Sequence, residues 1–142
     1  MPDVEQESAF VDAFIVPAKR ERYKTLLANP KKRQDILDRF NHTLDFIPAL
    51  AEEVRHPQLH QPGLVALLTQ RGVKATQNVY IFSDVREIDG IYLPLPEALD
   101  AVHQQMFGSI VCCIAGMLAY YKPEDYGGYR GYILAKPPRP ET

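Results

Sequence analysis

Lys31, Lys32 and Arg33 follow an Asn29-Pro30 pair that reads as a helix start: an N-cap residue type, then a proline suited to the first helical position. The helix dipole disfavours cations in a first turn, by about 0.3–1 kcal/mol each when exposed. A capping box would put Glu or Gln at the third helical position, where this chain has Lys32. Helix amides beside three cations would make an anion site for a phosphate, a nucleic-acid backbone or an acidic partner. Lys19, Arg20, Arg22 and Lys24 precede them and extend the field. Residues 17–40 hold eight of the sixteen Lys and Arg residues and three acids, in a chain of net charge −2. The candidate anion-binding set is therefore Arg20, Arg22, Lys31, Lys32 and Arg33. The competing expectation is a solvated helical surface, with Lys24 paired to Glu21 and Lys31 to Asp35 at helical contact spacing.

Residues 120–132 carry five of the eight tyrosines, with Arg130 and three glycines. Exposed Tyr and Arg on a pliable hairpin make a contact surface for a partner or for stacked bases. Tyr126, Tyr129 and Arg130 form the candidate partner-binding set. The alternative is cross-strand tyrosine packing around a glycine turn. Arg130-Gly131-Tyr132 matches the start of the RNA-recognition signature, but Ile133 stands where Gly or Ala is expected. Gly127-Gly128 is not a phosphate loop, because no Lys-Ser or Lys-Thr follows.

Three further groupings bear on catalysis. Asp84, Glu87 and Asp89 lie near the end of an expected strand. They could supply an acid/base pair or hold a hard cation, though their spacing is not that of an EF-hand. His56 and His60 are four apart, but Pro57 occupies the place where a zincin helix needs Glu. Cys112 and Cys113 are neighbours, so on a strand they face opposite ways and cannot readily pair. Their apolar setting is the opposite of what a thiol nucleophile with His103 would need. We assign no catalytic residue and expect no metal and no cofactor.

These residues must be positioned by the elements around them. Phe10, Val11, Phe14 and Ile15 have helical spacing over residues 8–16, with a strand as the alternative. Two charged helices follow, over residues 17–28 and 30–43, the second burying Ile36, Leu37, Phe40 and Leu44. Residues 46–62 are poorly periodic, and residues 49–55 suit a turn or two of helix. Residues 62–71 form a helix stopped at Gly72. Strands are expected over 79–82 and 91–93, joined through Asp89-Gly90, and a helix over 96–106. Residues 109–115 read as apolar on both faces, which suits a central strand; strands over 117–122 and 129–136 complete the pattern. The expected fold is α+β: N-terminal helices packed on a C-terminal antiparallel sheet of four or five strands, with one interposed helix. Residues 1–136 are expected to be a single domain and 137–142 a tail.

With 46% hydrophobic and 24% charged residues, the composition is globular rather than disordered. The net charge disfavours a nonspecific nucleic-acid coat. Asp3, Glu5 and Glu7 make the N-terminus unlike a secretory signal. The longest apolar run, residues 110–121, has twelve residues where a membrane helix needs about 20. A soluble cytoplasmic protein is expected.

Residues 14–40 with His42, and later residues 109–121, resemble paired stretches of a group of small uncharacterised bacterial proteins. The resemblance implies a bacterial cytoplasmic protein and supports one domain; it brings no activity, cofactor or site. The function expected is a non-enzymatic binding or regulatory module whose basic helical segment meets an anionic ligand or an acidic protein surface. One alternative is a small enzyme using Asp84, Glu87 and Asp89 in a cleft between helices and sheet. The other is a protein-interaction domain working through the tyrosine hairpin.

Overall fold

The computed structural model describes residues 2–42, 45–55, 61–124 and 130–137. Val4–Phe14 forms α1, capped by the Asp3 carboxylate, which accepts from the Gln6 amide at 3.2 Å. Glu5 and Glu7 in its first turn suit the helix dipole. The helical expectation for residues 8–16 therefore holds as far as Phe14; Ile15 then bridges to Phe46. A 3₁₀ turn at Pro17–Lys19 leads into α2, Arg20–Ala28. The helix expected over 30–43 is shorter: α3 spans Arg33–Leu37 and tightens into a 3₁₀ turn at Asp38–Asn41. Asn29 does not cap it: α3 starts at Arg33 after Lys32, and Asn29 instead holds the turn ahead of it, its side chain accepting from the Lys31 amide and its carbonyl from the Lys32 and Arg33 amides. Ile36, Leu37 and Phe40 are buried as expected; Leu44 lies outside the described residues.

The sheet has six strands rather than four or five, all antiparallel, in the order β1-β6-β5-β4-β2-β3. These are β1 Ala51–Arg55, β2 Asn78–Ser83, β3 Ile91–Pro94, β4 Ser109–Ile114, β5 Leu118–Lys122 and β6 Arg130–Ala135. The additional strand is β1, where a turn or two of helix was expected. Ala and Glu favour helix, but β6 recruits this segment as an edge strand that buries only Val54. Among the described residues two helices are interposed between the strands, not one: α4, Gln61–Thr69, and α5, Leu95–His103. The apolar run of β4 is central, as its burial on both faces requires.

Strand alternation separates two cores on opposite sides of the sheet. On one side α1, α2 and α3 bury Phe10, Phe14, Tyr23 and Ile36 against Phe82, Ile110 and Cys112. On the other, α4 and α5 bury Leu64, Leu68, Leu99 and Val102 against Ile81, Val111 and Cys113. Helices thus cover both faces, α1, α2 and α3 one and α4 and α5 the other. On the α1–α3 side burial falls away towards β6 and β1, where Tyr132 is half-buried and Glu53, Arg55 and Arg130 are exposed.

Candidate ligand-binding site

Arg33 turns inward. Its guanidinium donates to both Glu7 oxygens, at 2.5 and 2.7 Å, and to both Asp89 oxygens, at 2.8 Å. Such bidentate pairs offset the desolvation of a buried cation. The Tyr80 hydroxyl donates to Glu7 as well, and burial beside that carboxylate pushes the phenol well above its usual range. α1, α3 and the segment before β3 are tied at this one point. Arg33 is accordingly unavailable to an external anion, which corrects its place in the anion-binding set.

The other members of that set do not build a pocket with it. Lys31 and Lys32 are exposed in the turn ahead of α3; of the three expected first-turn cations only Arg33 lies within the helix, where Glu7 and Asp89 offset its charge. Arg22 is exposed on α2, and Arg20 donates to the Ile15 carbonyl at 2.8 Å. The Lys24–Glu21 pair is present at 3.5 Å, with Asp12 nearer at 2.9 Å. The three strand-end carboxylates are dispersed too. Asp89 holds Arg33, Asp84 accepts from Asn41 and Gln34, and Glu87 is exposed. Cys112 and Cys113 are buried on opposite faces, and burial pushes the Cys113 thiol up to about 12. His103 meets the Tyr120 hydroxyl at 2.8 Å; burial, then the Lys122 charge, lowers its pKa. His56, His60, Tyr126 and Tyr129 lie outside the described residues. Among the described residues, no group of three His, Cys, Asp or Glu could hold a metal, and no helix is long and apolar enough to cross a membrane.

A concavity of about 380 Å³ opens where the front helices leave the sheet uncovered. Its apolar floor is Phe46, Tyr121 and Tyr132. Tyr121 and Tyr132 stack with ring centres 5.9 Å apart and planes 26° apart, and Phe46 meets Tyr121 edge-on at 4.8 Å. Pro48, Ala51 and Pro123 flank the floor, and Asn41, His42, Glu124 and Arg130 supply polar groups. His42 Nε2 lies 2.7 Å from a Glu124 oxygen.

The wall of this concavity is anchored from several directions. The Asn41 side chain accepts from the Gly108 amide at 2.6 Å and donates to Asp84 at 2.9 Å. The Asn41 carbonyl accepts from the Glu124 amide at 3.0 Å, and the Phe40 carbonyl takes the Tyr121 hydroxyl. Phe46 is set by the Ile15 bridge, with Val16 donating to the Asp45 carbonyl at 2.9 Å and Ile47 to that of Phe14 at 2.8 Å. The Asp45 carboxylate receives Lys19 at 2.7 Å, Tyr23 and Arg39. Burial alone would raise its pKa, but these three donors hold it well below the usual carboxylate range. Sequence reasoning reached Arg130 and the tyrosine-rich stretch, yet not Phe46, Asn41 or the His42–Glu124 pair. The tyrosine count was the usable signal; the rest meets only through tertiary folding.

No protein-family model, curated protein or solved structure matches this chain.

Proposed function

We propose that the protein is a non-enzymatic binding module whose ligand site is the concavity lined by Asn41, His42, Phe46 and Pro48 and the adjoining parts of β5 and β6. One observation carries this: a roughly 380 Å³ hollow lined by the rings of Phe46, Tyr121 and Tyr132 together with Asn41, His42, Glu124 and Arg130. Small-molecule sites are typically about 300–1,000 Å³, mostly apolar, with a few placed polar groups. The binding-module expectation is kept, and its location moves from the basic helices to the β6 side of the sheet. The former enzyme alternative loses support because Asp84 and Asp89 are engaged in structural contacts.

Ala51 lines the hollow at the start of β1, so Ala51→Phe would fill it. Ligand-observed NMR on a mixed fragment panel, run on the wild type and this variant, tests the proposal. Fragments that bind the wild type are expected to lose at least about tenfold in affinity, with amide signals away from the hollow unchanged. Equal binding by a folded Ala51→Phe protein would move the site elsewhere.

A further inference from the structure

Resting on that reading, we infer that the ligand presents a flat aromatic ring and that Tyr132 is the side chain that selects it. One row of residues crosses the front face of the sheet in register: Phe82 on β2, Ile110 on β4, Tyr121 on β5, Tyr132 on β6 and Glu53 on β1. The first three are buried under the front helices, Tyr132 is half-buried and Glu53 is exposed. The apolar row therefore runs one position past the helical cover before it turns charged. That last position holds an aromatic ring, and it lines the hollow. A ring left partly open to water forgoes part of the burial that would stabilise it, and a ligand laid against it restores that burial.

The surroundings of Tyr132 suit a ring. Its plane lies 26° from that of Tyr121, with centres 5.9 Å apart, and among the described residues Tyr121 is the one ring it meets. A third ring extends such a pair in the offset geometry that aromatic quadrupoles prefer. Ala51 shares this face of β1 with Glu53 and Arg55 and is the smallest of them, which leaves room near Tyr132. Pro48 and Pro123 add apolar wall that loses no rotamer freedom on contact. Charge does not make the selection. His42 and Glu124 face each other at 2.7 Å, and Arg130 has partners within the chain as well.

The test titrates 2-naphthylmethanol, its saturated decahydro analogue and 2-naphthoate into the full chain, following amide shifts. The aromatic alcohol is expected to bind about fivefold tighter than the saturated one, with saturable shifts at Phe46, Tyr121 and Tyr132. 2-Naphthoate should bind within about threefold of the aromatic alcohol, because the ring carries the contact. Tyr132→Leu should erase the aromatic preference while binding of the saturated alcohol stays, and Tyr132→Phe should keep the preference. Equal binding of the two alcohols in the hollow, 2-naphthoate bound there far more tightly than either, or an aromatic preference unchanged in Tyr132→Leu would overturn this inference and leave the site reading standing. Shifts centred outside the hollow, or no binding by any probe, would overturn both.

Discussion

Arg33 decides how the basic stretch is to be understood. Its guanidinium spans two carboxylates from elements 26 and 56 residues away in the chain. Removing the cation leaves Glu7 and Asp89 facing one another in a buried setting, a situation that typically costs about 3–5 kcal/mol. Arg33→Met is therefore expected to lose about that much in urea unfolding. Lys31→Gln and Lys32→Gln, both exposed, should stay within about 0.5 kcal/mol of wild type. An Arg33→Met protein as stable as wild type would show that the triad is not a structural clasp. Lys24–Glu21 was legible in sequence as a helical pair, whereas the helix start read at Asn29-Pro30 is a turn, with α3 beginning at Arg33. The fate of Arg33 was not legible, because its partners are distant in the chain and no local pattern names them.

At the level of elements, the segment Asp38–Asn41 is what holds the pocket wall to the sheet. It passes so close to Gly108 that a Cβ there would collide with the Phe40 carbonyl, which also receives the Tyr121 hydroxyl. Backbone meets backbone at this point, so neither side yields cheaply. Gly108→Ala is expected to cost about 1–3 kcal/mol, as overpacking does. It should also shift the amide signals of Asn41 and Glu124; an Ala variant with wild-type stability and spectrum would contradict this anchoring role. Nothing in the sequence marks this contact at Gly108, since close approach of two backbones leaves no trace in local composition. The central strand β4 was legible because it is apolar on both faces. β1 was not, because its Ala and Glu residues favour a helix and its strand state depends on pairing with β6.

The described residues form a six-stranded antiparallel sheet with helices on both faces, and its two cores share the strands between them. The helical front covers β2, β4 and β5 and thins towards β6 and β1, leaving aromatic rings and two arginines beside an open hollow. That asymmetry separates the pocket from the exposed basic surface of α2 and the turn before α3. The sequence pointed to a cationic helix start, whereas the folded chain spends its best-placed cation there on internal carboxylates. Amide-shift mapping of the labelled protein titrated with 2-naphthoate distinguishes the two surfaces most directly. The account predicts saturable shifts concentrated at residues 41–42, 45–48, 121–124 and 130–132. Largest shifts within residues 17–33, or no saturable shift at all, would contradict it.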